Sequence, residues 1–544
     1  MDIKEKYNAW LEEPFFDTAF KEELRTLSEA EIEDRFYQDL RFGTGGLRGI
    51  LGAGSNRINI YVVQKVTQGY ANYLNKRYQN PSIAIAYDSR RQSDEFARKS
   101  AEVLAGNGIK VYLFKEVAST PELSYAVREM GCSGGIVITA SHNPAQYNGY
   151  KVYHHEGYQL LPEDAALIVE EVDRLSFSDI QCAFKESDLI QYLGEDFFER
   201  YYAEILKATK KENKELSIVY TPLNGAGARP VTEVLKRAGF KNFHGVEEQM
   251  VHDSNFTTVP YPNPEEAAVF EHAIVLGKRY DADILMATDP DADRVGVFVK
   301  HDGEYIGLNG NQIGALLGHA LLQSNQTDQM VVTTIVSSHL IDRIADANHA
   351  LVKRTLTGFK YIGELMTRYE DSGYRFVLGF EESYGYLTGM HARDKDAVNA
   401  ALAIADLAEH LKKNGMTLYD QLHEIYEKYG YFKEDLINYA FEGRQGQADM
   451  DAVINRFRTL DSFKCCEVES TVKIDYLTDE TGLEVSNVLK FIYPDDSWFA
   501  VRPSGTEPKL KIYVSVNANT EVDSLVRLSV FKNTLENFVG TQND

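Results

Sequence analysis

The chain has 544 residues, 44% hydrophobic and 26% charged, with a formal net charge of −25. That length suggests about three to five domains at roughly 100–200 residues each, and the composition is that of a globular protein in water. The acidic field repels nucleic acid and anionic membranes, which excludes both as partners and makes local clusters of Lys and Arg more informative. The first residues, MDIKEKYNAWLEEP, hold no apolar stretch of the secretory kind, and no apolar run approaches membrane-spanning length. Cys132, Cys182, Cys465 and Cys466 show no CxxC spacing, a usage that fits a reducing cytoplasm. Short apolar runs then recur, each ending in a loop of small and polar residues: SIAIAYDSR (82–90), GIVITASHN (135–143), SIVYTPLNGAG (217–227), ADILMATDPDADR (282–294), MVVTTIVSS (330–338) and RFVLGFEESYG (375–385). Helix-period segments such as VVQKVTQGYANYLNKRY and PVTEVLKRAGF lie between them.

Buried strands alternating with helices predict α/β architecture, in which ligands sit beyond the carboxyl ends of strands. The acidic, helix-like stretch 188–206 reads as a linker, and further breaks fall near Gly307–Gly310 and Gly430. The last portion has strand-like runs (TVKIDYL, VLKFIYP, SWFAVRP, LKIYVSV) and a terminal helix, which suggests a smaller α+β domain. The expected division is 1–206, 207–309, 310–430 and 431–544.

Asp289, Asp291 and Asp293 alternate with small residues after an apolar run. Alternation in an extended segment places three carboxylates on one side, where they repel unless a cation neutralises them. Hard oxygen ligands suit Mg²⁺. An EF-hand is excluded, because Arg294 and Lys300 stand where that loop needs Gly and Glu. An aspartyl phosphatase with Asp289 as nucleophile stays open, as does a solvated acidic turn. Ser141 lacks a G-x-S-x-G elbow, and its neighbour His142 is awkwardly placed as a base. Taken alone, Thr139, Ser141 and Asn143 read as turn residues. A serine, a lysine and a metal loop on strand ends together describe phosphoryl transfer. The loop GTGGLRG (43–49) offers backbone amides and Arg48 to an anion but fits neither the P-loop nor the dinucleotide fingerprint. RPSGTEPK (502–509) supplies Arg502, two hydroxyls, amides around Gly505 and Lys509, the donors a phosphate wants, although a polar turn has the same composition. Glu381, Glu382 and Ser383 could accept from sugar hydroxyls or form an exposed acidic turn, while TGFK (357–360) and RDKD (393–396) could be surface ion pairs.

TASHNP, DPDADR, FEESYG and RPSGTEPK, in that order, with GTGGLRG, NGYK, TGFK and RDKDA, resemble the α-D-phosphohexomutase family over essentially the whole chain. The FEESYG form is similar to the phosphoglucomutase and phosphopentomutase branch, closest to its bacterial α-phosphoglucomutase members. The resemblance implies three similar α/β domains with mixed sheets plus a smaller C-terminal α+β domain, arranged around a central cleft. It implies interconversion of glucose 1-phosphate and glucose 6-phosphate through a phosphoserine at Ser141, with glucose 1,6-bisphosphate as activator and intermediate. Pentose and mannose phosphates are the alternative substrates. By the same resemblance, Mg²⁺ is held by Asp289, Asp291, Asp293 and Ser141 (or its phosphate), and Arg48, His142 and Lys151 surround the phosphoserine. Lys151 is the candidate for acid/base help, a role that calls for a depressed pKa. Glu381 and Ser383 are implied sugar contacts, with Lys360 and Arg294 as electrostatic contributors. Arg502, Ser504, Gly505, Thr506 and Lys509 are implied to hold the phosphate that is not reacting. The partners implied are small sugar phosphates, for a cytoplasmic monomer or weak homodimer. Pro290 stands where many relatives have Gly, but it leaves the three aspartates in place.

Overall fold

A computed structural model describes residues 2–43, 45–183, 187–441, 446–503 and 509–540. The chain divides into two compact units, one of Met1–Gly310 with Phe359–Thr417 and one of Asn311–Gly358 with Leu418–Asp544.

In the first unit, three short helices, Ile3–Glu12, Thr18–Arg25 and Glu29–Phe36, precede the first strand, and the strand-and-loop pattern gave no sign of them. Each starts on a capping side chain, from Asp2, Asp17 and Ser28. Trp10, Phe16 and Phe36 close them over Tyr61 in a small aromatic core. A six-stranded mixed sheet follows, built from β1 (Gly46–Ile50), β2 (Ser82–Tyr87), β3 (Lys110–Phe114), β4 (Gly134–Ile138), β5 (Tyr147–His154) and β6 (Ile190–Leu193) in the order β1-β5-β4-β2-β3-β6. β4 lies between β5, which it pairs with antiparallel, and β2, which it pairs with in parallel. Every residue of β4 is buried, as expected of a central strand covered on both faces. Ile83, Ile85, Ile136, Ile138 and Val152 form its core.

A second, five-stranded sheet contains β7 (Lys214–Thr221), β8 (Phe240–Gly245), β9 (Ile284–Thr288), β10 (Val295–His301) and β11 (Glu304–Leu308), in the order β11-β10-β9-β7-β8. β9 is its fully buried central strand. The hairpin of Arg375–Glu381 and Gly385–Leu387 belongs to the same unit. The acidic stretch expected to be one helical linker is instead β6 followed by the helix Glu195–Ile205. Gly194 separates them, and the run before it pairs in parallel with β3, from Val111↔Ile190 to Phe114↔Leu193.

In the second unit, Gln329–Thr334 pairs in parallel with Leu351–Thr355. A five-stranded antiparallel sheet runs in the order Tyr431–Ala440, Lys509–Ala518, Trp498–Pro503, Leu489–Ile492, Val472–Asp475. The helices Gly446–Thr459 and Glu521–Gly540 complete the α+β arrangement that the final strand-like runs predict.

Candidate active site

Ser141 follows β4 and Asp289 follows β9, so both leave the carboxyl end of a central strand. The Ser141 hydroxyl donates to Asp289 Oδ2 at 2.7 Å, which joins the loops beyond the two sheets. Ser141 has φ +51°, a left-handed conformation that a non-glycine residue adopts only when its surroundings enforce it. Its N–H donates to Thr139 Oγ1 at 2.8 Å, and the Thr139 hydroxyl donates to Asp88 Oδ2 at 2.6 Å. His142 is half-buried, with Nδ1 3.4 Å from Ser141 Oγ. Burial, then Arg294 and Arg48, hold its imidazole well below the usual range, so it is neutral. The antiparallel register sets Gly46 of β1 opposite Lys151 of β5 and Arg48 opposite Gly149. Arg48 Nη1 then donates to Asn143 Oδ1 at 3.0 Å.

Asp289, Asp291 and Asp293 are each at most 1% exposed, and their carboxylate oxygens lie within 4.8 Å of one another. Asp289 Oδ1 accepts the N–H groups of Asp293 (3.1 Å) and Arg294 (3.0 Å). Thr120, at the start of the helix Thr120–Glu129, holds Asp291 twice. Its N–H donates to the Asp291 carbonyl at 2.9 Å and its hydroxyl to Oδ2 at 2.8 Å. Lys151 Nζ lies 2.8 Å from Asp291 Oδ2 and 3.5 Å from Asp293 Oδ2, and Lys395 Nζ lies 2.9 Å from Asp293 Oδ2. Burial, then Asp293 and Asp291, push the Asp289 carboxyl well above its ordinary value. Burial raises Asp291 too, but the Lys151 ammonium outweighs it and draws that carboxyl down.

Lys151 itself departs from the depressed pKa that an acid/base role calls for. Burial pulls it down, but Asp291 and Asp293 outweigh burial and hold the ammonium above its ordinary value. Oδ1 of Asp291 and Oδ1 of Asp293 are buried without a hydrogen-bond partner. Orphaned carboxylate oxygens are costly in a folded interior. Two of them beside a third carboxylate are the donor set of a hard divalent cation, so these residues fit a metal ion.

Behind the aspartates, Ala226 N–H donates to the Pro290 carbonyl at 2.8 Å. Gly225 packs so closely that a Cβ there would sit 2.4 Å from Pro290 Cα. The hairpin bearing Glu381 reaches the same loop, where Val295 N–H donates to the Tyr384 carbonyl at 3.1 Å. Glu381 is 5% exposed at the strand end, and Ser383 is half-buried in the turn. Arg294 pairs with Glu265, and burial is outweighed there by Glu265, Asp293, Asp289 and Glu381, which hold the guanidinium above its ordinary value. Lys360 lies buried in the first turn of the helix Phe359–Arg368, its ammonium 5.1 Å from the Tyr361 ring centroid.

Ser141, His142, Arg48, Lys151, Arg294 and the three aspartates thus converge in the first unit. In the second unit, Arg502 lies one residue before the end of one strand and Lys509 begins the next, while Ser504, Gly505 and Thr506 lie outside the described residues. Asp88, Arg90, Thr120 and Thr139 were not singled out as site residues, although YDSR ends one of the predicted strand-end loops. Lys395 stood within RDKDA, one of the motifs of the resemblance, but was itself given no site role.

Models of the phosphoglucomutase/phosphomannomutase domains match this chain in order. α/β/α domain I covers residues 39–179, domain II 195–303, domain III 309–429 and the C-terminal domain 436–527. A phosphoglucomutase of Staphylococcus aureus is 37% identical over 518 residues, 92% of this chain and 94% of the relative. One from Staphylococcus haemolyticus is 38% identical over 508 residues, 90% and 92% of the two chains. Among solved structures, a phosphoglucomutase/phosphomannomutase family protein from Burkholderia thailandensis aligns with a TM-score of 0.71 at 17% identity, over 92% of this chain and 98% of that one. Parafusin, an exocytosis-sensitive phosphoprotein and phosphoglucomutase from Paramecium, aligns with a TM-score of 0.69 at 19% identity, over 92% and 95%. These two likenesses are of fold.

Proposed function

Because this chain belongs to the phosphoglucomutase/phosphomannomutase family, we propose that it interconverts glucose 1-phosphate and glucose 6-phosphate through a phosphoserine at Ser141. The observation that carries this reading is the Ser141 hydroxyl, buried and in hydrogen-bond contact with Asp289, beside two orphaned carboxylate oxygens.

The family implies a metal ion, and Asp289, Asp291 and Asp293 are the residues that would hold it. Our assignment is Mg²⁺, which when bound offsets charge on the transferring phosphoryl group. The chain's own residues supply the rest. The Ser141 phosphoryl group passes to the free 6-hydroxyl of glucose 1-phosphate: the P–Oγ bond breaks, the new P–O6 bond forms, and the proton lost from the 6-hydroxyl is balanced by the one taken up at Ser141 Oγ. Glucose 1,6-bisphosphate results. After it reorients, its 1-phosphoryl group returns to Ser141 and glucose 6-phosphate is released. Lys151, held charged, is suited to donate a hydrogen bond to oxygen as charge builds there. Arg48 and Arg294 add positive charge near the same serine. Neutral His142 can accept or donate at Ser141 Oγ. Glu381 and Ser383 are assigned to sugar hydroxyls, with Lys360 as an electrostatic contributor. Arg502 and Lys509 are assigned to the second phosphate with Ser504, Gly505 and Thr506. An aspartyl phosphatase needs a free Asp289 oxygen as nucleophile. Here Oδ1 takes two backbone N–H groups and Oδ2 takes the serine hydroxyl, which counts against it.

The test compares turnover of glucose 1-phosphate, mannose 1-phosphate and ribose 1-phosphate with Mg²⁺ and a trace of the matching bisphosphate. Glucose 1-phosphate leads, and Ser141→Ala and chelation each abolish turnover. A lead for ribose or mannose phosphate overturns the sugar assignment, and full activity in Ser141→Ala overturns the mechanism.

A further inference from the structure

Arg90 and Asp88 are 3% and 1% exposed, and no step of the proposed reaction uses either. The Arg90 guanidinium lies inside the loop that carries Ser141. Nη2 donates to the carbonyls of Ser141 and of Asn143, the latter at 2.5 Å. Nη1 donates to the carbonyls of Pro144 (3.0 Å) and Tyr147 (3.3 Å). One side chain therefore gathers four backbone carbonyls of the segment 141–147, the last of them on the first residue of β5. Asp88 holds the guanidinium, with Oδ2 3.1 Å from Nε. It also accepts from Arg90 N–H (3.0 Å) and Ser93 Oγ (2.7 Å), which fixes it in turn. On the far side of Arg90, the Phe256 ring lies 4.8 Å from the guanidinium carbon.

These contacts reach Ser141 from both ends. Its N–H is tied through Thr139 Oγ1 to Asp88, and its carbonyl is tied to Arg90. The left-handed φ of a non-glycine residue is costly, and it persists only where such contacts over-determine it. The residue so fixed is the one whose hydroxyl meets Asp289. A planar, five-donor guanidinium can satisfy several carbonyls at fixed angles, whereas an ammonium is a single point donor.

We propose that Asp88 and Arg90 are positioning residues for phosphoryl transfer, fixing the left-handed backbone at Ser141 so that its oxygen is aimed at the aspartate cluster. This rests on the reading of Ser141 as the phosphoserine. It goes further by assigning a buried ion pair on another strand-end loop as the device that sets its geometry.

The test uses the full chain with Arg90→Lys and Arg90→Ala. It reads kcat, KM for glucose 1-phosphate, melting temperature, and the rate at which labelled glucose 1,6-bisphosphate transfers its phosphoryl group to Ser141. In Arg90→Lys, kcat and the labelling rate fall roughly 100-fold, the scale of a misplaced reacting group, while KM stays within about threefold. Added guanidinium restores part of kcat in Arg90→Ala without changing KM. If Arg90→Ala does not fold, Arg90→Lys, which keeps the charge beside Asp88, decides alone. A folded Arg90→Lys with kcat and labelling within about threefold of wild type overturns the proposal, as does an activity loss that only tracks the unfolded fraction. Wild type that turns over glucose 1-phosphate but carries no label on Ser141 removes the phosphoserine reading and this proposal with it.

Discussion

Glu122 allows a sharp test of how burial near the site is balanced. It stands in the first turn of the helix Thr120–Glu129, 1% exposed, and its Oε2 accepts from Ser119 N–H (2.7 Å) and Ser119 Oγ (2.8 Å). Its other oxygen, Oε1, is buried with no hydrogen-bond partner. Burial raises its pKa from 4.5 to about 7, against the lowering effect of the Ser119 bonds, with Asp396 raising it further and Arg229 lowering it. The folded state therefore binds this proton more tightly than the unfolded chain. The stability it contributes is fully present below pH 4.5 and is lost as pH climbs through about 7. At about 1.36 kcal/mol per pH unit, that loss is roughly 3 kcal/mol by pH 8.

Glu122→Gln copies the protonated carboxyl. The amide oxygen can still accept from Ser119, and no charge appears as pH rises. Differential scanning of both proteins at pH 4.5 and pH 8 isolates the effect, because every other titrating group is common to the two. The first unit has about 370 residues, so roughly 3 kcal/mol corresponds to about 4 °C at ~2.1 cal/mol/K per residue. The two proteins should melt together at pH 4.5, and the Gln variant about 4 °C higher at pH 8. An equal difference at both pH values, or a variant less stable at pH 8, would refute the reasoning.

Two other perturbations follow from close packing and from a buried cation. In Gly225→Ala the new Cβ would lie 2.4 Å from Pro290 Cα and 2.7 Å from its carbonyl oxygen. Overpacking of this kind costs about 1–3 kcal/mol, and the loop that must move carries the aspartates. Calorimetric Mg²⁺ titration should show affinity weakened by roughly tenfold, or about 1.4 kcal/mol, and unchanged affinity would show that the glycine does not brace the loop. In the second unit, Lys490 is 2% exposed, donates to the Ile335 carbonyl at 2.7 Å and lies 4.1 Å from the Trp498 ring centroid. Burial, then Arg354, depress its pKa well below 10.5. The unfolded chain then binds this proton more tightly, so stability rises with pH from the depressed value up to 10.5, by up to about 1.36 kcal/mol per pH unit. Lys490→Met should flatten that rise in melts at pH 8 and pH 10, and an undiminished slope would contradict the assignment.

The acidic triad and Ser141 were legible because their chemistry lies in short, contiguous segments that end apolar runs. The residues that set their geometry were not, because their signal is tertiary. Ser119 and Glu122 form a local helix-capping pair, and nothing in so local a pattern tells of the burial that lifts Glu122. Thr120 lies 171 residues from Asp291, which it holds. Arg90 lies 51 residues from the Ser141 carbonyl it binds. Lys151 was legible as a site lysine, but the direction of its pKa was not, since Asp291 and Asp293 decide it. The stretch 188–206 misled for a related reason. Its helical residues outnumber its strand residues, and only pairing with β3 shows that Ile190–Leu193 form an edge strand.

Backbone conformation was the least legible property of the site, and the reason is physical. A turn that needs φ > 0 normally announces itself with glycine. Ser141 (φ +51°), Ala292 (φ +52°) and Tyr384 (φ +66°) take that conformation without it. Each is held by contacts from elsewhere. Arg90 and Thr139 hold Ser141. The Ala292 carbonyl accepts Ala397 N–H at 3.2 Å, and the Tyr384 carbonyl accepts Val295 N–H at 3.1 Å. Glycine in place of any of the three would remove the steric cost of the conformation but widen the range of geometries open to the loop. A residue that resists the conformation, clamped into it by distant partners, leaves one geometry for the serine hydroxyl and the aspartates. Local sequence cannot specify that arrangement, because half of it lies in the partners.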